Sequence, residues 1–294
     1  MGVTEDVEVV RDLKMELGEG PVWVEREKAL WFVDIKKRHL HRYDPETKAL
    51  ESVSAPDQPG FVLPAKTSGF IVGLKTGLHR YDPATRAFEL LTKVEPERPG
   101  NRLNDGAVGP DGALYFGSMD DTEQADTGSL FRLGKDGKPV VLDTDYGITN
   151  GPCFSPDGRT FYHTDTRKRV TYAFDRAADG ALTRKRVFIT FDGHDGSPDG
   201  SVVDAEGCIW VSMFHGWGVR RFSPKGELLT MVKFPCSNIT KIAFGGPDGR
   251  TCYATTALLH LTPEVRAQQP LAGALFRFRA PVPGLKNSEV TVGV

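Results

Sequence analysis

The sequence predicts an all-β fold, a six-bladed β-propeller of four-stranded antiparallel blades, with residues 1–294 forming one domain. Three observations carry this expectation. Aromatic anchors recur at Trp31, Phe70, Tyr115, Tyr162, Trp210 and Tyr253, separated by 39, 45, 47, 48 and 43 residues. Glycine and proline, 32 and 20 residues, make up about 18% of the chain against about 12% in an average domain, so the chain turns often. Stretches with apolar residues at i, i+3, i+4 and i+7 are nearly absent, which leaves little room for helix. Units of this length with about four short strands apiece are what propeller blades require, and a two-sheet sandwich rarely repeats so regularly.

Each anchor lies in a short β-rich run bounded by turn residues, beginning with Ala29-Leu30-Trp31-Phe32-Val33 and Gly69-Phe70-Ile71-Val72-Gly73 and ending with Thr251-Cys252-Tyr253. A second strand pair follows most of them, Leu40-His41-Arg42-Tyr43-Asp44-Pro45 and Leu78-His79-Arg80-Tyr81-Asp82-Pro83 being near copies, and Asp-Pro or Gly turns close each pair. The G-H and W-D marks of the WD40 class are missing. A propeller must close its ring, and Val7-Glu8-Val9-Val10-Arg11 is a strand without a blade of its own, so it should pair beside the strand at Leu275 to Phe278. One short helix is expected from Thr262-Pro263-Glu264, which supplies an N-cap, a proline at N1 and an acidic first turn.

Charge narrows the function. Lys+Arg of 37 against Asp+Glu of 39 leaves a net charge of -2, and no basic run supplies the footprint of a nucleic-acid binder. Met1-Gly2-Val3-Thr4-Glu5-Asp6 is acidic where a signal peptide needs a basic start, and no long apolar stretch follows, so no membrane is expected and the chain reads as cytoplasmic, a monomer or weak oligomer. Cys153, Cys208, Cys236 and Cys252 are scattered and form no C-x-x-C pair, so they read as core hydrophobes in a reducing compartment.

Counting back 11 or 12 residues from the anchors gives Glu19, Asn104, Asn150, Asp199 and Lys241, all polar and all at the start of the innermost strand of a blade. Equivalent positions in successive blades face the same axis. A ring of carboxylate and amide oxygens around it makes a hard-cation site. Asp or Asn before Gly is ordinarily a turn former, and Asp111, Asp157 and Asp248 are such residues, four or five positions before their anchors. Asp199 lies outside that register, and its blade already has Glu206-Gly207 at the hairpin. Glu19 gains nothing from a turn, since Gly-Glu-Gly-Pro does not need it. Register therefore separates Glu19, Asn150 and Asp199 as metal ligands from the turn residues. Their oxygens alone admit Ca, Mg, Mn, Zn or Fe(II).

Histidines say less. His39 and His41 alternate on a strand whose neighbours Lys36, Lys37, Arg38 and Arg42 suggest a solvated position, and His163, His194, His215 and His260 show no H-x-H or H-E-x-x-H spacing. His215, in Phe214-His215-Gly216-Trp217, is either a pocket residue or a plain loop histidine. No glycine-rich phosphate loop links a strand to a helix.

Over nearly its whole length the chain resembles the senescence marker protein, gluconolactonase and luciferin-regenerating enzyme family. Leu17-Gly18-Glu19-Gly20-Pro21-Val22-Trp23 resembles its opening metal motif, Arg102-Leu103-Asn104-Asp105-Gly106 its substrate motif, and Thr149-Asn150-Gly151-Pro152 and Pro198-Asp199-Gly200 its other metal motifs. Among members it resembles bacterial sugar-acid lactonases, such as those for xylono-, arabinono- or gluconolactone. The resemblance implies one divalent cation on Glu19, Asn150 and Asp199, with Arg102 and Asn104 holding a sugar lactone's hydroxyls and ring oxygen. Some relatives carry a glutamate after Gly-Thr-Met that closes on the substrate; here the chain reads Gly117-Ser118-Met119-Asp120-Asp121-Thr122, which makes Asp121 the substitute.

The expected reaction is metal-dependent hydrolysis of an aldonolactone to the aldonic acid. A divalent ion with three protein ligands keeps open positions, polarises the carbonyl and activates water, while Asp199 binds it through one oxygen and acts as general base through the other. Two alternatives stay open: hydrolysis of non-sugar lactones or organophosphate esters, towards which Phe214 and Trp217 would lean, and a non-catalytic calcium-binding propeller.

Overall fold

The computed structural model describes residues 7–291. Six four-stranded antiparallel sheets follow one another around an axis. Their innermost strands are Gly18–Val24, Pro59–Pro64, Asn101–Val108, Thr149–Phe154, Ser197–Val203 and Ile239–Gly245, which define blades 1 to 6. The six anchors sit in the second strands and are all buried, Trp210, Tyr115 and Phe70 completely. That explains the period: each blade needs one large ring to fill the wedge against its neighbour, and an aromatic covers that area with few rotatable bonds.

Closure follows the expected course. Glu8–Arg11 pairs antiparallel with Leu275–Arg279, Glu8 opposite Arg277 and Val9 opposite Phe276, so the sheet of blade 6 takes its fourth strand from the other end of the chain. Blade 1 is also pinned to blade 6 by Trp23 stacked on Tyr253, 6.0 Å between centroids and 3° between planes. The short helix is Pro263–Gln268, where Thr262 caps by accepting from the Val265 backbone N–H. No helix among the described residues is long and apolar enough to cross a membrane. The four cysteines are buried and free. His41 corrects the expectation of a solvated strand: its strand, His39–Tyr43, is third of four, and the ring is buried against Phe32 with Nδ1 on Ser52 Oγ at 2.8 Å.

All six innermost strands share one irregularity: the register to the second strand shifts between Glu19 and Val22, Pro59 and Phe61, Leu103 and Gly106, Asn150 and Cys153, Pro198 and Ser201, and Ile239 and Lys241. A bulge re-aims the side chain that carries it. Here it turns one side chain towards the axis in every blade but the second. Gly20 and Gly151, directly after Glu19 and Asn150, adopt φ of 54° and 56°, a left-handed backbone that favours glycine, so two of the bulges are written into the sequence. Blade 2 gives the ring nothing, because a side chain at Gly60 would meet the Leu103 carbonyl oxygen at 2.5 Å.

At the opposite end of the axis the C-terminal segment runs as a strap. Leu285 N–H donates to the Val203 carbonyl, Asn287 Nδ2 to that of Trp23, Val290 N–H to that of Pro64 and Thr291 N–H to that of Gly112, joining blades 5, 1, 2 and 3. Beneath it lies a largely apolar cavity of about 290 Å³.

His163, in the second strand of blade 4, is fully buried between Tyr146 and Phe161, and neither ring nitrogen has a hydrogen-bond partner. Burial, with Lys185 nearby, pushes its pKa down to about 3, so the folded protein holds it neutral. The unfolded chain protonates it near its ordinary value. Its contribution is therefore complete above pH 6.5 and lost as pH falls towards 3. His163→Phe is expected to remove about 3 kcal/mol of the stability loss between pH 7 and pH 4, measured by urea unfolding at both pH values. An unchanged acid slope would show that other groups dominate.

Candidate active site

At the mouth opposite the strap, Glu19, Asn150 and Asp199 line one small cavity of about 60 Å³ together with Arg102, Asn104, Glu123, Thr166, Phe214 and His260. The sequence places them there through the loops leading into the innermost strands. In blade 1 the buried Asp34 carboxylate accepts from the backbone N–H groups of Glu16 and Leu17, and in blade 4 Asp165 does the same for Gly147 and Ile148. Each carboxylate sits at the end of the second strand and fixes the approach of the loop just before Glu19 or Asn150.

The amide orientations follow from a chain of hydrogen bonds. Arg102 Nη1 donates to Asn104 Oδ1 at 2.5 Å, which leaves Asn104 Nδ2 to donate to Asn150 Oδ1 at 3.1 Å and to the Thr149 carbonyl at 2.7 Å. Asn150 Nδ2 in turn donates to Thr166 Oγ1 at 2.9 Å. Asn150 is thus held with its oxygen on the cavity side. Arg102 Nη2 has no hydrogen bond among the described residues.

Charge at the axis does not balance. Glu19 and Asp199 are 4% and 5% exposed. Among the described residues Glu19 accepts only from the Gly20 backbone N–H, and no donor reaches the Asp199 carboxylate. Beside them Asp105 is bonded to Lys241 Nζ at 2.5 Å, both buried. Burial first, then neighbouring carboxylates, pushes Glu19 and Asp199 well above the usual carboxylate range; Asp105 acts on both, and Glu19 on Asp199. With one ammonium for three carboxyl groups, ionising all three would leave two negative charges uncompensated, a cost that a divalent cation would remove. Two carboxylates and an amide oxygen, all hard oxygen donors and only partly partnered, suit one divalent cation. Among the described residues no three His, Cys, Asp or Glu side chains converge, so the amide of Asn150 is needed for a third protein ligand.

Asp121 departs from expectation. It stands behind Arg102, outside the cavity, with Lys36 Nζ and Arg102 Nε on Oδ1 at 2.8 and 3.0 Å and Gln58 Nε2 and Lys75 Nζ on Oδ2 at 2.9 and 3.1 Å. Against the desolvation of its half-buried carboxyl, these partners hold it well below the usual carboxylate range. Glu123 reaches the cavity instead, because the Asp120 carboxylate accepts from Thr122, Gln124 and Ala125 and folds that turn inward. His260, not His215, forms the opposite rim, with Nε2 3.1 Å from Glu123 Oε2. Sequence reasoning missed Glu123, Thr166 and the pairing of Asp105 with Lys241. The Asp-x-Thr turn at Asp120 was the available signal for Glu123, and a lone lysine in an otherwise oxygen-bearing register was the signal for the ion pair.

Comparison with known proteins bears on this geometry. The family model described as the SMP-30/Gluconolactonase/LRE-like region matches residues 17–258. The chain is 35% identical to a 6-deoxy-6-sulfogluconolactonase of Pseudomonas putida, over 91% of this chain and 92% of that protein. It is likewise 35% identical to a pentonolactonase of Haloferax volcanii, over 84% of each. A crystal structure described as a calcium-binding protein, regucalcin, from Agrobacterium tumefaciens superposes with a TM-score of 0.93 at 30% identity, covering 97% of both chains.

Proposed function

This chain belongs to the SMP-30/gluconolactonase/LRE-like family, and on that premise we propose that it hydrolyses a sugar lactone to the aldonic acid with the help of one divalent cation. The observation that carries the reading is a pair of buried carboxyl groups, Glu19 and Asp199, with no cation of their own, beside an arginine that keeps a free nitrogen for a neutral, oxygen-rich ligand. Glu19, Asn150 and Asp199 would hold the cation, as the regucalcin relative, described as calcium-binding, also suggests. Bound there, it would supply Lewis-acid polarisation of the lactone carbonyl.

The chain's own residues do the rest. A cavity of about 60 Å³ holds little more than water and a carbonyl, so the sugar ring lies in the mouth above it. Arg102 Nη2 donates to substrate oxygens there, and Asn104, locked by Arg102 and Asn150, keeps the ring in register. Asp199 takes the proton from the attacking water. The ring C–O bond then breaks, and the proton passes to the departing alkoxide. Glu123 and His260 face the sugar from the rim, and Phe214 offers it an apolar wall.

Turnover separates this reading from that of a non-catalytic calcium-binding propeller. A cation-supplemented assay across pentono- and hexonolactones should show hydrolysis that chelator abolishes; no turnover of any lactone with any of the five cations would overturn the proposal. Arg102→Lys should raise KM at least about tenfold, because a point charge cannot reproduce a forked contact. Asn104→Ala should raise KM more than it weakens cation binding, read by calorimetry alongside kinetics. If both variants lost cation affinity and kept KM, their assignment to substrate would be wrong.

A further inference from the structure

The chamber beneath the strap takes no part in lactone hydrolysis. Every blade gives it one apolar side chain from the innermost strand: Val22, Leu63, Val108, Phe154, Val203 and Phe244. Its roof is the reverse side of the bulges that aim Glu19, Asn104, Asn150 and Asp199, because Pro21, Gly106, Pro152 and Ser201, two residues on from each, line it. Lys241 is the charged side chain of that roof. Its ammonium is committed to Asp105, and its stem lies along Gly200, where a Cβ would meet Lys241 Cγ at 2.5 Å, so it offers the chamber mainly methylenes. Burial pushes the Cys153 thiol of the wall up, which keeps it neutral.

Size and access both favour a ligand. Packed interiors leave few voids larger than a water molecule, and an apolar cavity of about 150 Å³ already takes benzene. This one, at about 290 Å³, has room for two fused rings, and Phe154 and Phe244 give it aromatic surface from two blades. The strap also leaves a way in. It is bonded to Val203 and Ala205 of blade 5, Gly249 of blade 6, Trp23 of blade 1, Pro64 of blade 2 and Gly112 of blade 3, and among the described residues it has no hydrogen bond to blade 4. On that side Pro156 lines the chamber and is exposed to solvent. Between Leu285 and Val290, among the described residues, the strap makes no backbone-to-backbone hydrogen bond to a blade, so that stretch of the cover is held by side chains.

We propose that this chamber is a second binding site, taking one uncharged, compact aromatic molecule of about ten carbon atoms that enters between the strap and blade 4. Apolar burial drives the binding, and the absence of a bare charge in the walls selects against ions, since a charged group carried into the chamber would lose its water and gain no partner. The site stands apart from the lactonase reading: it lies at the other end of the axis and needs no cation.

The test titrates indole and naphthalene into the full chain in chelator, by calorimetry. Each should bind once per chain with a Kd of about 0.1 mM and raise the melting temperature as its concentration rises. Naphthalene-2-sulfonate, the same rings with a charge, should bind at least about tenfold more weakly. Val108→Trp puts a ring inside the chamber and Leu285→Trp brings one from the strap; each should weaken indole and naphthalene at least about tenfold. Should Val108→Trp fail to fold, Leu285→Trp, outside the blades, decides. Phe214→Ala should leave both Kd values within about threefold, because Phe214 belongs to the mouth at the opposite end. No saturable binding of either ring compound, binding that survives in the folded tryptophan variants, or binding lost in Phe214→Ala would overturn the site. Sulfonate binding as tight as that of naphthalene would overturn the neutral ligand class. None of these readings uses a lactone, so failure here and failure of the lactonase reading are separate results.

Discussion

Asp199→Asn should lower lactone hydrolysis by at least about 1000-fold and weaken cation binding, while the cation-free protein melts at a higher temperature than the wild type. The first effect follows from two roles on one carboxylate. An amide oxygen still reaches a cation but brings no charge, and it takes no proton from water. The second follows from the uncompensated charge: Asp199 is buried beside Glu19 and Asp105, with no donor on its carboxylate among the described residues. Asn removes the cost that folding imposes on this carboxyl, which must either take up a proton or stay charged beside two others, without opening a void, since Asn and Asp have nearly the same shape. A gain of about 1 kcal/mol, or about 2 °C or more in Tm, is expected in chelator. Chelator melts, cation titration and initial rates on one preparation test the three parts together. Full activity at saturating cation would remove the base assignment, and Glu123, the other carboxylate lining the cavity, would be the next candidate. A lower chelator Tm would mean that an unseen partner compensates Asp199 in the folded protein.

How much of this could be read beforehand follows from where each residue's partners lie. The blades were legible because each one repeats the same demand for an aromatic in its second strand, and the axis-facing residues were legible because they keep a constant distance from it. The bulge that aims them was half legible, through Gly20 and Gly151. Glu123 was not. It reaches the cavity through a turn with φ of 61°, which Glu rarely adopts and which Asp120 enforces through several backbone contacts. Simple spacing after Met119 therefore pointed to Asp121, two residues too early. His41 misled for a related reason. Lys36, Lys37 and Arg38 lie in the turn before the strand and Arg42, next along the strand, points to its other face, whereas His41 lies in a strand covered on both sides. The second cavity and its strap depend on contacts between residues far apart in the chain, such as Asn287 with Trp23, and no local pattern announces those.

Lys241→Met should destabilise the cation-free protein by about 3–5 kcal/mol, the largest stability effect expected of any single change at the axis. Lys241 is the one basic member of the ring register, and its ammonium is bonded to Asp105 at 2.5 Å in a buried pair. Asp105 also accepts from the backbone N–H groups of Gly106 and Gly151, so it cannot swing out to water when its partner is removed. The change would leave three buried carboxylates, Glu19, Asp105 and Asp199, without a neighbouring ammonium. A packing explanation predicts otherwise: methionine has nearly the length of lysine, and loss of contacts alone would cost less than about 1.5 kcal/mol. The second variant decides between them. Lys241→Met with Asp105→Asn removes the orphaned charge while the amide oxygen still accepts one of the two backbone N–H groups, so most of the lost stability should return. Because Lys241 also lies against Glu19 and Asp199 electrostatically, the single variant should gain more from added Ca²⁺ than the wild type does, a divalent ion then offsetting three negative charges instead of two. Urea unfolding of the wild type and both variants, in chelator and in Ca²⁺, measures each step. A double variant no more stable than the single one would show that the ion pair is not the source of the loss.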